Sequence, residues 1–407
     1  MTDSMDFDIL VVGGGMIGSA AALGLSRQGW RVALVEGQPR EALTADLQPA
    51  IAVTDFEPRV SALSPASQRL LAQLGVWAGI SQSRHCSYQN MTVWDGDGTG
   101  RVHFEAAELQ SESLGAIVEN RVVVKALFQE LLASDVELID SVEVSGWWQD
   151  ADLSGVRLAD GRLLGASLVI AADGPGSRLR QWAGLATREW DYDQQAIVCT
   201  VKTSQSHRAT AWQRFSQTGP LAFLPLSNES GDSHFCSVVW SQDTAEARRL
   251  MALDDDGFAA ALEGAMEQEL GSVQAVSKRF DFALRQRHAK DYVARGIALV
   301  GDAAHSIHPL AGQGANLGYA DVRVLLAELA GSRSAGLDPA DATALARYQR
   351  RRKGENLAMM AAMEGFKQLF GRDELGLRWL RNAGLKWFDR LGPVKHRIAA
   401  QAMGLTD

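Results

Sequence analysis

Cysteine is scarce in this chain. Cys86, Cys199 and Cys236 are the three in 407 residues. They lie far apart, with no Cys-x-x-Cys pair and no even set that could build a disulfide framework, a pattern suited to a reducing cytoplasm. Positive charge is also in deficit: 40 Lys and Arg face 49 Asp and Glu, and the formal net charge of −9 disfavours a general nucleic-acid binder, because a phosphate backbone calls for concentrated cations. No uncharged apolar run approaches the roughly 18 residues that span a bilayer. Asp3, Asp6 and Asp8 stand where a signal peptide needs a basic start, so no export signal is expected. Pro/Gly/Ser-rich tracts and internal repeats are missing too. With 46% hydrophobic and 22% charged residues, the composition is that of a globular chain with room for two lobes around one ligand.

What is present begins at the first apolar run. Residues 9–12, Ile-Leu-Val-Val, read as a parallel strand buried on both faces, and they stop abruptly at Gly13-Gly-Gly-Met-Ile-Gly18. A helix over 19–28 and a second strand over 31–36 complete a β-α-β unit of roughly thirty residues. In Gly13-x-Gly15-x-x-Gly18, Gly13 permits the tight turn, Gly15 lets a pyrophosphate approach the backbone, and Gly18 lets helix and strand pack closely. The helix N-terminus then faces the phosphate charge. Glu36 sits where a carboxylate accepts hydrogen bonds from ribose hydroxyls. The turn specifies an adenosine diphosphate and leaves FAD and NAD open.

Further along, helical patterns cover 64–74 and 120–132, and strand patterns cover 136–139, 155–158 and 168–171, the last running into Asp173-Gly174. Between about 189 and 284 the texture becomes alternating β, with strands at 196–201, 222–226 and 235–240 and one helical stretch at 256–269. The buried-strand pattern returns at 297–300, followed by Gly301-Asp302 and a helix from about Gln313. Residues 343–407 read as helical, with Leu377, Leu380, Trp387, Phe388 and Leu391 on one face.

Two segments decide between the dinucleotides. Asp173-Gly-Pro-Gly-Ser-Arg-Leu-Arg180 and Gly301-Asp-Ala-Ala-His-Ser-Ile-His-Pro-Leu-Ala-Gly-Gln-Gly-Ala-Asn-Leu-Gly-Tyr-Ala-Asp321 resemble the second and third fingerprints of the single-component FAD-dependent aromatic hydroxylases. The resemblance implies non-covalently held FAD, with Asp173 and Gly174 at the cofactor and Gly301 and Asp302 at its ribityl chain. It places Pro309 as a rigid wall beside the isoalloxazine. Gly312, Gln313 and Gly314 would offer backbone N–H groups at a helix start to the reduced ring, with Ala315 and Asn316 beside them. Arg59, in Arg59-Val-Ser-Ala-Leu-Ser64, matches the position of an arginine near the FAD pyrophosphate, and Arg121 joins the cofactor set. The departures are small for small: Gly176 stands where asparagine is usual and Ser306 where threonine is common. His305 and His308 are read as side chains that hold the loop's shape.

The resulting fold expectation is α/β: a discontinuous Rossmann-like FAD-binding domain (1–188 and 285–342), a β-sheet substrate domain (189–284) joined by a small insertion near 78–112, and a C-terminal helical segment (343–407). Within the superfamily the chain is most similar to the ubiquinone-biosynthesis hydroxylases, through Leu74-Gly-Val-Trp77, Val118-Glu-Asn120, Gly219-Pro-Leu-Ala-Phe-Leu-Pro-Leu226 and Gln401-Ala-Met-Gly-Leu405. Trp190-Asp-Tyr192 and Cys236-Ser-Val-Val-Trp240 look most like the branch acting on 2-octaprenylphenol.

What that implies is hydroxylation of a polyprenylphenol ring, 2-polyprenylphenol to 2-polyprenyl-6-hydroxyphenol, through a flavin C4a-hydroperoxide. O2 is the co-substrate and NAD(P)H the electron donor, docking transiently since no second Gly-x-Gly-x-x-Gly unit exists. Phe223, Leu224 and Pro225 are candidates for the substrate wall. No metal site and no Ser/His/Asp triad is expected. The implied partners are the prenylated phenol, other ubiquinone-biosynthesis proteins and, through Trp387 and Phe388, peripheral contact at the inner membrane surface of an otherwise cytoplasmic protein. Alternatives are a sister hydroxylase acting on a methoxylated intermediate, a flavin reductase of isoprenoid double bonds, and a non-enzymatic flavin-bearing scaffold subunit. A halogenase would carry Trp-x-Trp-x-Ile-Pro, which Trp147-Trp148 does not supply.

Overall fold

The apolar run at residues 9–12 becomes the inner half of β1 (Met5–Val12). This strand pairs in parallel with β2 (Val32–Val35) on one side and β11 (Leu163–Ala171) on the other. Paired on both edges and set inside the main apolar core, β1 has no wet side, and Ile9, Leu10, Val11 and Val12 are all buried. A computed structural model of the chain describes residues 5–96, 98–306 and 314–371.

The sheet around β1 continues through β8 (Glu137–Ile139) beyond β2, and through β19 (Ile297–Leu299) and the short β18 (Val293–Ala294) beyond β11. A ribbon of β9 (Val144–Gln149) and β10 (Ser154–Leu158) attaches antiparallel to β11. The chain leaves this sheet after Ala171 and re-enters it at Val293, so its nucleotide-type half is discontinuous. The helices α1 (Met16–Arg27), α5 (Asn120–Leu132) and α9 (Gly314–Ser334) pack beside it. The short α2 (Arg40–Thr44) lies on α5, and α10 (Ala342–Gly371) on α9.

A second sheet has the order β20-β17-β12-β15-β14-β13-β5-β6, with β16 (Val273–Val276) beside β12. Its strands are β5 (Asn90–Asp95), β6 (Arg101–Glu105), β12 (Thr187–Thr203), β13 (Thr210–Ser216), β14 (Gly219–Leu226), β15 (Phe235–Asp243), β17 (Phe280–Ala289) and β20 (His305–Ser306). One face is covered by α7 (Thr244–Met251) and α8 (Asp255–Ala265), which bury Phe258 and Leu262 against Trp212, Phe223, Val238 and Trp240. Asp254 caps α8 by accepting from Gly257 N–H, and Asp255 and Asp256 in its first turn suit the helix dipole.

The other face meets a three-stranded sheet, β3 (Val60–Leu63), β7 (Gly115–Glu119) and β4 (His85–Tyr88). There Ala62 and Ile117 pack with Ala222, Leu224, Leu226 and Phe235. The helix α3 (Pro65–Gln73) follows β3, started by Ser64 accepting from Ser67 N–H with Pro65 at the first helical position, and α4 (Trp77–Ser81) leads into β4. The remaining helix, α6 (Arg178–Trp182), caps the loop after β11. The two large sheets meet where β20, directly after the Gly301–Ala303 turn, pairs with β17 through His288 and His305.

Candidate flavin site

Gly13 ends β1 at φ +106°, a conformation that only glycine adopts without strain. Close packing governs Gly18: a Cβ there would lie 1.9 Å from the Gly13 carbonyl oxygen and 2.9 Å from Ala172 Cβ. Gly15, the N-cap of α1, is the opposite case, since among the described residues a Cβ on it would find no atom within 4 Å beyond its chain neighbours. No side chain caps the first turn of α1. The turn therefore packs tightly against its own sheet and stays open where helix N–H groups point outward, which is the shape a pyrophosphate needs. Glu36 lies beside it, its carboxylate accepting from Gly14 N–H at 2.6 Å and from Gln38 N–H at 2.8 Å. Each oxygen retains lone-pair capacity for a ribose hydroxyl.

The other two fingerprint segments are physically joined. Asp173 accepts from Ser177 Oγ at 2.5 Å and from Leu179 N–H at 3.2 Å, so its carboxylate shapes its own loop, with Gly174 at φ +83° next to it. Buried Arg180 donates to the Ala303 carbonyl at 2.7 Å and to the Pro175 carbonyl at 3.2 Å, tying this loop to the Gly301–Ala303 turn. Burial holds its pKa below the usual arginine value. Asp302 is accessible to solvent at its surface, yet the protein mass around it is dense enough that desolvation raises its pKa against the opposing pull of His305 and Arg59. Asp302 stands just past the end of β19, where its accessible carboxylate could accept from hydroxyl donors. FAD fits the set: an open helix N-terminus and two carboxylates, Glu36 and Asp302, that could accept from its ribose and ribityl hydroxyls.

The remaining predicted residues divide. Arg59 is exposed, with its guanidinium 5.4 Å from the centre of the Phe282 ring and close enough to Asp302 to affect its charge. Arg121 is exposed and lies 3.3 Å from Glu57. Gly314 and Ala315 open α9, partly buried. Asn316 lies in the same first turn of α9. Its side chain accepts from Ser64 N–H and Ser67 Oγ and donates to the Ala62 carbonyl, clamping α9 to the β3–α3 corner and leaving only its backbone for a cofactor.

The three substrate-wall candidates lie on one strand, β14. Successive strand residues alternate faces, so Phe223 packs under α7 and α8 while Leu224 packs under β3 and β7. Pro225 is buried as well, opposite Cys236. Pro309, Gly312 and Gln313, with His308, Trp387 and Phe388, lie outside the described residues.

Sequence reasoning passed over Arg180, Asp321 and Arg352. Asp321 accepts from Gly301 N–H, and His305 and Arg352 both meet its carboxylate, so His305 does hold the segment's shape. Asp321 ends the third fingerprint, which was a usable signal. Arg352 sits in Arg350-Arg351-Arg352 and reads as part of a solvated basic face. Among the described residues no helix is long and apolar enough to cross a membrane.

Comparison with known proteins agrees with this geometry. A family model described as an FAD binding domain matches residues 6–362. The chain is 38% identical to 3-demethoxyubiquinol 3-hydroxylase of Escherichia coli (strain K12), covering 98% of both chains. It is 35% identical to ubiquinone hydroxylase UbiL of Rhodospirillum rubrum, over 98% of this chain and 89% of that one. The human mitochondrial ubiquinone biosynthesis monooxygenase COQ6 is 32% identical over 98% and 93%. Among solved structures, p-nitrophenol 4-monooxygenase PnpA from Pseudomonas putida superposes with a TM-score of 0.78 over 97% of both chains at 20% identity. Klebsiella pneumoniae HpxO, complexed with FAD and uric acid, gives 0.73 over 99% and 97% at 18% identity. These structural likenesses establish the aromatic-hydroxylase fold. The chain belongs to the FAD-dependent aromatic-hydroxylase superfamily and, within it, to the ubiquinone-biosynthesis hydroxylases, as an FAD-dependent monooxygenase.

Proposed function

We propose that this enzyme hydroxylates the ring of a polyprenylated phenol, converting 2-polyprenylphenol to 2-polyprenyl-6-hydroxyphenol with NAD(P)H as electron donor and O2 as co-substrate. What supports the reading is the solvent-accessible Asp302 and the open Gly15 turn, in a chain collinear with ubiquinone-pathway hydroxylases. When bound, FAD supplies the electron transfer and oxygen chemistry. The chain's own residues bind and orient. The start of α1 takes the pyrophosphate charge, Glu36 the ribose hydroxyls and Asp302 the ribityl hydroxyls, so the flavin ring is held at a fixed place relative to the sheet that carries the substrate. The choice of phenol rests on Trp190–Tyr192, Cys236–Trp240 and the segment 401–405.

A second reading has its own support. The 38% identical relative acts on 3-demethoxyubiquinol by name, which favours a methoxylated quinol as substrate. Product analysis separates the two. Purified protein given FAD, NADPH, 18O2 and 2-polyprenylphenol is expected to yield the 6-hydroxy product carrying one labelled oxygen. Hydroxylation of the methoxylated quinol alone would move the enzyme to the sister step. NADPH oxidation with no hydroxylated product from either ring would overturn the proposal and favour the scaffold alternative.

A further inference from the structure

An isolated carboxylate in a protein interior is strongly unfavourable, so the groups that meet a fully buried one show what it serves. Asp321 on α9 is 0% exposed, and its two oxygens face different ways. Oδ2 accepts from Gly301 N–H at 2.9 Å and from His305 Nε2–H at 2.6 Å. Oδ1 accepts from Arg352 Nε–H at 2.7 Å, with Asn356 Nδ2 at 3.5 Å. Arg352, 1% exposed, also donates to the Leu317 carbonyl at 3.3 Å and to Asn356 Oδ1 at 2.8 Å, and it pairs with Glu355. Burial would raise the pKa of Asp321, but His305 and Arg352 outweigh it and hold the carboxylate below its usual range.

One oxygen thus belongs to the cofactor segment and the other to α10. Gly301 sits at φ +58° and immediately precedes Asp302, while His305 closes β20 onto His288 immediately before residues 307–313, where Pro309, Gly312 and Gln313 stand. Moving Arg352 moves the carboxylate that fixes both ends of the Gly301–Ser306 stretch. An ordinary brace between two helices would touch neither end.

We propose that Arg352 is a positioning residue for the flavin: by docking on Asp321 it sets the turn that carries Asp302, so that FAD binding and docking of α10 are thermodynamically linked. The proposal rests on the flavin reading of Asp302 and not on which phenol is hydroxylated. Linkage is reciprocal, so FAD must tighten the docking of α10 by the factor by which α10 tightens FAD.

Two measurements test it. In wild-type protein stripped of FAD and then reloaded, amide hydrogen exchange across residues 345–360 is expected to slow about 10-fold, within the 5–150-fold range common for coupled sites. Arg352→Met is expected to weaken FAD by a similar factor, read by quenching of flavin fluorescence, and to shift the flavin midpoint potential. Arg352→Lys, which keeps a charge against Asp321 but not the second donor, recovers part of both. If Arg352→Met fails to fold, the wild-type exchange measurement still decides. FAD binding with unchanged exchange in α10, or Arg352→Met binding FAD as wild type does with the same potential, overturns the coupling. Wild-type protein that binds no FAD at all overturns the flavin reading itself.

Discussion

Gly15 and Gly18 stand three residues apart in one turn and answer to opposite constraints. A methyl at position 18 would meet the fixed Gly13 backbone at 1.9 Å, so Gly18→Ala is expected to lower the stability of the FAD-free protein by about 1–3 kcal/mol, the usual cost of overpacking. A methyl at position 15 would meet no atom of the described residues within 4 Å beyond its chain neighbours, so Gly15→Ala is expected to leave FAD-free stability within about 0.5 kcal/mol of wild type. Its effect falls on the ligand: FAD affinity drops by about 10-fold or more, since one misplaced methyl-sized group costs about 1–3 kcal/mol. Urea unfolding of the FAD-free proteins and FAD titration separate the two. Gly15→Ala with wild-type FAD affinity would mean that the pyrophosphate does not approach this turn. Glu36 shows why such a residue is legible without being fully understood. In the sequence its place at the end of β2 reads as that of a ribose acceptor, whereas its bonds to Gly14 and Gln38 N–H, which hold the turn closed, depend on a loop shape the residue order does not display.

Among the elements, β20 has two residues and no sequence signature, and it exists because β17 receives it at His288 and His305. His288 is 3% exposed, with Nε2 at 3.0 Å from Tyr292 Oη. Tyr292 accepts from Asn356 Nδ2, so its own proton goes to His288, which must be neutral to take it. Burial, aided by the charges of His305, Lys353 and Arg188, pushes the pKa of His288 down to about 4, from 6.5. The unfolded chain therefore takes up the proton first as pH falls: this contribution is full above about 6.5 and is lost on the way down to about 4. Stability is expected to rise with pH across that window, and His288→Gln to flatten part of the slope. His207, whose pKa burial also lowers, keeps the remainder. Urea midpoints measured across the window check this, and an unchanged slope in His288→Gln would show that His288 is not buried neutral.

Legibility follows the same divide between local and distant causes. The elements β1, α1 and α5 were readable from local signals, β1 from its continuous apolar run, α1 from the glycine turn that starts it and α5 from its own period, which spans its observed bounds. The strand β12 was readable only at 196–201; it extends back to Thr187 because β17 pairs with its polar first half. Phe223 and Leu224 were readable as strand, but which face meets which layer is settled by α7, α8, β3 and β7, none of them near in sequence. Arg352 resembles its two exposed-looking neighbours and is buried because α10 turns that face, with Tyr348 and Asn356, toward α9.

At the scale of the whole molecule, the small β3-β7-β4 sheet packs on the larger ones through apolar contacts, and a buried ion pair braces it from within. Arg84, just before β4, places Nε 2.9 Å from Glu119 Oε2 and Nη2 3.1 Å from Oε1, with the two side chains 3% and 2% exposed. Nη1 donates to the Gln48 carbonyl at 2.7 Å, Glu119 accepts from Glu57 N–H at 2.7 Å, and the guanidinium stands 5.4 Å from the Phe56 ring centre. The segment 48–57 is thereby strapped to β7, while Ala50 bonds to Glu229 and Asn228 between β14 and β15. Burial raises the pKa of Glu119 despite its partner, so desolvation is not fully offset even with the ion pair in place. Removing one partner should then be worse than removing both. Arg84→Met is expected to cost about 3–5 kcal/mol by leaving a carboxylate stranded, and Arg84→Met with Glu119→Leu to recover most of it, since apolar replacement of a buried pair is often near neutral. Glu229→Ala, half exposed and 3.6 Å from Arg84, should cost under about 1 kcal/mol. Denaturation midpoints of the four proteins in the Arg84–Glu119 cycle decide the matter. If the two single losses simply add in the double variant, the pair is not a unit, and the apolar contacts of Phe56, Ile117 and Leu224 alone hold the sheets together.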